Sequence, residues 1–112
     1  MPLEIDGRTV PVDAEGYLFE PADWDETVAE ELARQENIVL SHEHWAVIRF
    51  MRAYYDDHQI VPDARHVIKH LAGYLGGSGA GRNDLFQLFP YGYVKQACRI
   101  AGMRRPRAWS TG

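Results

Sequence analysis

Apolar and aromatic side chains recur at three- to four-residue spacing between Ser41 and Asp57. The recurring positions are Trp45, Ile48, Met51 or Arg52, and Tyr55, with Phe50 and Tyr54 widening the stripe. On a helix this spacing gives one continuous apolar face, and Ser41 is a suitable N-cap. The sequence therefore predicts a central packing helix that ends near Asp57. Its aromatic stripe indicates core packing rather than a cofactor site.

Three further stretches carry helical signals. The first has Asp23 as its N-cap and ends at Asn37, the second begins at Asp63, and the third is short and covers residues 82–89. Their inward-facing residues at helical spacing are Trp24, Val28, Leu32, Val67, Ile68, Leu71 and Leu75. The connection before Asp63 is brief, which indicates a helix-turn-helix-like corner.

The N-terminal segment predicts a different structure. Apolar and polar residues alternate from Leu3 to Val12 on both sides of Asp6-Gly7, the strongest short hairpin signal. Pro11 suggests that the second strand lies at a sheet edge. With a C-terminal helix described below, the chain is expected to be mainly α: a small orthogonal bundle of about five helices with an N-terminal β-hairpin and a C-terminal arm.

Length and composition predict one globular domain of the 112 residues, with 46% hydrophobic and 25% charged residues. We expect no membrane helix, no signal peptide and a monomer. A single cysteine favours the cytoplasm. Charge is unevenly distributed: residues 1–63 carry 15 acids and 4 Lys/Arg, and residues 64–112 carry 1 acid and 8 Lys/Arg. This asymmetry indicates either two solvated faces or a basic half that docks on an acidic partner.

The C-terminal stretch contains that cysteine, Cys98. A helix is predicted from about Tyr93 to Ala101, ending at Gly102. Lys95 and Arg99 would favour the thiolate form of Cys98 if the thiol is exposed. Against this, its apolar neighbours at helical spacing suggest partial burial, and a buried cysteine is usually inert.

Several motifs resemble one family, the DsrC/TusE family of small sulfur-trafficking proteins. They include Phe89-Pro90-Tyr91-Gly92, Lys95-Gln96-Ala97-Cys98-Arg99, Ala101-Gly102, Asp6-Gly7, Asp13-Ala14-Glu15-Gly16-Tyr17-Leu18, Asp23-Trp24, Glu43-His44-Trp45, and Tyr54-Tyr55 through Gln59-Ile60. The resemblance implies one domain over residues 1–102 and an arm over residues 103–112. It also implies protein partners in sulfur metabolism: siroheme sulfite reductase, heterodisulfide-reductase-like complexes or the relay for tRNA thiolation.

One departure from the family pattern bears on function. The family's sulfur carriers have a cysteine next to the last arm residue, and the position that corresponds by count is Trp109, followed by residues 110–112. In two-cysteine members, the cysteine that matches Cys98 is implied to form a disulfide with the arm cysteine. Trp109 either packs back onto the domain or serves as an aromatic anchor in a partner's groove. In the second case Arg104, Arg105 and Arg107 would contact acidic groups.

Other chemistries have weaker signals. His66 and His70 stand four residues apart without a third ligand nearby, so no metal site is predicted. The glycine-rich segment 76–81 lacks the Lys and Ser/Thr of a phosphate-binding loop, and we expect a mobile loop there. The helix beginning at Asp63 has no dense run of Arg and Lys that would favour DNA binding.

The sequence thus predicts a non-enzymatic interaction protein without a cofactor, regulatory in role because the arm cysteine is missing. The interaction residues are Lys95, Arg99, Arg104, Arg105, Arg107 and Trp109. Two alternatives remain open: a persulfide carrier that uses Cys98 alone, and a helix-turn-helix DNA-binding regulator.

Overall fold

A computed structural model describes residues 3–5, 7–74 and 82–104. The predicted glycine-rich loop at 76–81 lies outside the described residues, as do Leu75 and the arm residues after Arg104. Side chains 82 and 83 are likewise not described. The division into a domain and an arm therefore stays a prediction.

The N-terminal hairpin is confirmed. Strand β1 (Leu3–Ile5) pairs antiparallel with β2 (Arg8–Val10). Its register opposes Leu3 to Val10 and Ile5 to Arg8. Gly7 in the turn has φ +80°, the left-handed conformation that glycine adopts readily. The hairpin therefore buries Leu3, Ile5 and Val10 against the helices.

Helix α1 (Glu26–Gln35) begins two residues later than expected. Its N-cap is Asp25, whose carboxylate accepts a hydrogen bond from the Val28 N–H at 2.9 Å. The prediction that Asp23 caps this helix is wrong, because residues Pro21–Asp23 form a separate 3-10 turn. The predicted end at Asn37 is confirmed: this residue has φ 59° and closes the helix.

Helix α2 (His42–His58) is the long helix that the apolar stripe predicted, and Ser41 is its N-cap. Its fully or nearly buried residues are His44, Val47, Ile48 and Met51. Trp45 and Tyr55 pack against the core while remaining partly exposed. The helix therefore faces the core along a line rotated slightly from the aromatic stripe.

His44 joins the start of α2 to a distant segment. Its Nε2 lies 2.9 Å from the Leu88 carbonyl oxygen, and its Nδ1 lies 3.0 Å from the Ser41 backbone nitrogen. Because a carbonyl only accepts, Nε2 carries the proton and Nδ1 accepts from Ser41. Burial lowers the pKa of His44. The imidazole is therefore a neutral structural linker.

Helices α3 (Ala64–Tyr74) and α4 (Arg82–Leu88) follow. The Asp63 carboxylate accepts from the His66 N–H at 3.0 Å, as a residue that opens a helix does. Val67 and Leu71 of α3 are fully buried, and α3 packs on both α2 and α4. This packing forms the expected corner between α2 and α3.

The last helix differs from the predicted α-helix. Residues Tyr93–Cys98 form a π-helix, a wider turn that is often associated with functional sites. Every residue in it except Lys95 is buried. The helical segment then ends at Gly102, which has φ +75°. The N–H of Met103 donates to Cys98 and that of Gly102 to Arg99, which is the expected glycine C-terminus.

These elements confirm the predicted class. Within the described ranges the chain is mainly helical, with α1 to α4 and the π-helix, plus an N-terminal two-stranded hairpin. Among those residues, no helix is both long enough and apolar enough to cross a membrane.

Candidate functional site

Cys98 lies inside the core. Its exposed fraction is 0%, and burial raises the pKa of its thiol to about 12. Hydrogen bonding with the Tyr93 hydroxyl acts in the opposite direction but does not outweigh burial. At neutral pH the thiol is therefore protonated and shielded, and only the thiolate is an effective nucleophile.

The buried side chain of Tyr93 lies beside the Cys98 thiol. Its hydroxyl donates to the Pro62 carbonyl oxygen at 2.5 Å and is itself buried. Burial, and next the nearby Cys98, raise the pKa of Tyr93. The phenol therefore stays neutral and fastens the π-helix to the connection between α2 and α3.

The two cations predicted to activate the thiol point elsewhere. Lys95 is exposed on the outer side of the π-helix. Arg99 forms an ion pair with Glu36, donates to the Gln35 side-chain oxygen at 2.7 Å and to the Gly16 carbonyl at 3.3 Å. The exposure on which thiolate activation depended is thus absent in the described conformation.

Gln96 and Glu36 form a polar connection that sequence analysis missed. Gln96 is fully buried, donates to Glu36 Oε1 at 2.9 Å and accepts from the Tyr91 N–H at 2.9 Å. The other carboxylate oxygen of Glu36 forms an ion pair with the Arg99 guanidinium. The Glu36 side chain is only 21% exposed and the Arg99 side chain only 14%. One carboxylate at the end of α1 therefore holds Gln96 of the π-helix and Arg99, the residue that follows it. No local signal marks Glu36 for this role.

The N-terminal loop joins the same connection. The Tyr17 hydroxyl donates to the Val94 carbonyl at 2.9 Å, inside the core. Together with the contact from Arg99 to Gly16, this fixes the loop after the hairpin onto the π-helix. Three separated segments, the loop, α1 and the π-helix, therefore meet at one place.

A surface cleft opens there, with a volume of about 380 Å³. We call it the Lys95 cleft, and it is lined by Glu15, Tyr17, Glu36, Tyr91, Lys95 and Arg99. Tyr91 is 73% exposed at its rim. The cleft brings together Lys95 and Arg99, two of the residues predicted to bind a partner, and adds an exposed aromatic ring.

The base of the predicted arm is firmly held. The Trp24 indole N–H donates to the Ile100 carbonyl at 2.8 Å, and Arg52 donates to the Ala101 carbonyl at 3.1 Å. The Arg52 guanidinium also stands 4.5 Å above the centre of the Trp24 ring. Arg104, the next predicted partner-binding residue, is exposed just beyond this contact. Arg105, Arg107 and Trp109 lie outside the described residues.

The histidine pair on α3 serves other contacts. His66 lies 2.8 Å from the Asp63 carboxylate, and His70 stacks on Phe50 with ring centres 4.3 Å apart. Over residues 3–5, 7–74 and 82–104, no cluster of three or more His, Cys, Asp or Glu could hold a metal ion.

Comparison with known proteins shows which family the chain is similar to. The family described as "DsrC like protein" matches residues 4–108. The Yersinia pestis protein named "Sulfurtransferase TusE" is 42% identical over 104 residues, covering 93% of this chain and 95% of the relative. The solution structure of Allochromatium vinosum DsrC is 44% identical with a TM-score of 0.83, covering 95% of this chain and 96% of that one.

A crystal structure of another DsrC protein shows the same similarity of fold. The oxidized gamma-subunit of the dissimilatory sulfite reductase (DsrC) from Archaeoglobus fulgidus superimposes with a TM-score of 0.84 at 35% identity, covering 95% of this chain and 96% of that chain. The chain belongs to the DsrC-like family, as the sequence resemblance indicated.

Proposed function

We propose that this protein docks on sulfur-relay or sulfite-reductase-type partners in the cytoplasm and regulates them without passing sulfur through its arm. The Lys95 cleft and the cations that follow it, Arg104 among them, form the docking surface. The proposal also assigns partner contacts to the arm residues Arg105, Arg107 and Trp109, with Trp109 as the aromatic anchor. No cofactor or metal takes part.

The state of Cys98 is the observation that carries this proposal. A persulfide carrier needs an accessible thiolate, whereas this thiol is fully buried and its pKa is raised to about 12. The arm position where carriers of the family have a cysteine is Trp109 here. Relatives named sulfurtransferase support a place in sulfur metabolism, and the lack of a reactive thiol supports a regulatory role within it.

Charge supports an acidic partner surface. Lys95 and Arg104 are exposed, and residues 64–112 carry 8 Lys/Arg against 1 acid. Charges of this kind at a rim steer diffusional encounter more than they set affinity. Tyr91, which is 73% exposed beside Lys95, provides apolar contact area next to the charge.

Sulfur loading is tested by intact mass spectrometry after incubation with a persulfide donor. We expect no gain of one sulfur atom by the native protein under conditions that load a relative with an arm cysteine. A gain that is lost in Cys98→Ala would favour the alternative of a carrier that uses Cys98 alone. Repeating the incubation in denaturant shows whether the thiol itself is competent.

Docking is tested separately by biolayer interferometry against a purified siroheme sulfite reductase and a purified sulfur-relay complex. Lys95→Glu should slow association about tenfold at low salt, because it reverses a steering charge. Arg65→Glu is the matched control, since Arg65 is an exposed cation of the same basic half that lies outside the cleft. Equal association rates for the two variants would contradict the assignment of the cleft.

A further inference from the structure

Aromatic rings line an exposed surface where α2 and α3 meet. Phe50 stacks on His70 with ring centres 4.3 Å apart and planes 14° apart. Tyr54 stacks on His58 at 4.2 Å and 15°, and it also contacts His66 at 5.5 Å. The three imidazoles are exposed, and the two rings of α2 are half-buried. Two pairs of aromatic rings, Phe50 with His70 and Tyr54 with His58, are thus stacked nearly parallel at the protein surface.

A groove lies beside this ring surface, with a volume of about 450 Å³. We call it the α2–α3 groove, and its lining residues are Phe50, His66, Lys69, His70, Gly73 and Tyr74. Its volume is within the range of pockets that hold small organic groups. Tyr74 is 52% exposed, so about half of this lining residue is accessible to solvent.

The groove favours a ligand that is both flat and anionic. No carboxylate is among its lining residues, and Lys69 is its fixed positive charge. Asp63, just before α3, contacts the lining residue His66: its carboxylate accepts from the His66 N–H and also lies 3.5 Å from Arg65. Asp56 and Asp57 are exposed near the end of α2 without lining the groove.

Gly73 keeps the groove open. A Cβ atom placed at this position meets nothing within 4 Å, so the backbone of α3 is accessible between Lys69 and Tyr74. A ligand can therefore approach the end of α3 closely there.

We propose that the α2–α3 groove binds single-stranded nucleic acid, with unpaired bases stacking on the exposed rings and Lys69 contacting the phosphate backbone. Aromatic platforms combined with cations are the usual way in which proteins hold single strands without sequence preference. A duplex hides its base faces, so it gains nothing from these rings. The assignment is independent of the Lys95 cleft, which contains no residue of this groove.

The test is fluorescence anisotropy with a labelled mixed-sequence RNA strand about 12 nucleotides long, the same strand in DNA, and its duplex. The native protein should bind both single strands and bind the duplex at least about tenfold more weakly. Tyr74→Ala should weaken binding about tenfold through lost stacking. Lys69→Gln should reduce the slope of log affinity against log salt by about one.

Gly73→Glu separates folding from binding. The new side chain enters open space, so the fold should be retained or stabilised, while bulk and negative charge in the groove should abolish binding. Arg34→Gln, which removes an exposed cation of α1, should leave affinity unchanged. The proposal is overturned if single strands do not bind, if the duplex binds equally well, or if Gly73→Glu binds as the native protein does.

Discussion

Replacing Gly102 with alanine should destabilise the protein strongly, for two reasons. Gly102 has φ +75°, which costs a residue with a Cβ atom about 1–2 kcal/mol. The larger effect is steric: the new Cβ would lie 2.4 Å from Cδ1 of the Trp24 indole and 2.7 Å from its Cβ. Contacts this short cannot persist, so Trp24 must move.

Moving Trp24 breaks further contacts. Its indole N–H donates to the Ile100 carbonyl at 2.8 Å, a bond worth about 1 kcal/mol. The Arg52 guanidinium, 4.5 Å from the ring centre, contributes about 0.5–1 kcal/mol more. Repacking around an added methyl group typically costs about 1–3 kcal/mol. We therefore expect Gly102→Ala to lower the free energy of unfolding by about 3.5–7 kcal/mol, a large part of a small domain's stability.

The measurement is urea unfolding followed by far-UV circular dichroism, which does not depend on tryptophan fluorescence. Gly7→Ala is the matched control, because Gly7 has φ +80° but a Cβ there meets nothing within 4 Å. It should cost only the backbone contribution of about 1–2 kcal/mol. In a Trp24→Gly background, which removes the Cβ as well as the indole atoms that the new methyl group would meet, Gly102→Ala should cost about as little. The reasoning is refuted if Gly102→Ala and Gly7→Ala cost the same within about 0.5 kcal/mol.

Three other predictions concern buried polar groups. Because the pKa of His44 is lowered in the folded state, the free energy of unfolding should decrease as pH falls below about 6.5. Urea titrations from neutral to acidic pH should show a weaker decrease for His44→Gln. Cys98 should react with a thiol reagent at least about 100-fold faster after unfolding, and a native rate close to the unfolded one would contradict its burial. Glu36→Gln should destabilise by about 2 kcal/mol because Arg99 keeps its charge without an anion, and adding Arg99→Met should recover part of this loss in a double-mutant cycle.

Local signals predicted much of the fold. Asp6-Gly7 located the hairpin turn, Ser41 located the start of α2, and Gly102 located the end of the last helix. Each of these positions is decided by the conformation or hydrogen bonding of residues adjacent in sequence. Such features can be recognised before any tertiary contact is known.

Contacts between distant segments decided the features that sequence analysis missed. The cap of α1 is Asp25 and not Asp23, in a stretch where Trp24 is bonded to a residue 76 positions away. The π-helix, predicted as an ordinary α-helix, has one carbonyl taken by Tyr17, 77 positions away. Glu36 gains its two partners only when α1 meets the π-helix.

The residues of the candidate site were named from the sequence, but their surroundings were not. Lys95 and Arg99 share a surface cleft, and the binding of a partner there stays a prediction. Sequence analysis left the exposure of Cys98 open, since apolar neighbours and flanking cations pointed in opposite directions. Packing from Tyr93 and the surrounding core, which sequence spacing does not reveal, decides that the thiol is buried.

The contact of Trp24, Arg52 and Gly102 constrains how this chain can diverge. No side chain fits at position 102 while the indole is present, and the indole covers one face of the guanidinium. A side chain at position 102 should therefore appear in descendants of this sequence only where the residue at position 24 has changed as well, whereas loss of the indole leaves glycine free to remain. A homologue with alanine or a larger residue at 102 that retained tryptophan at 24 would have to turn its C-terminal residues in a new direction.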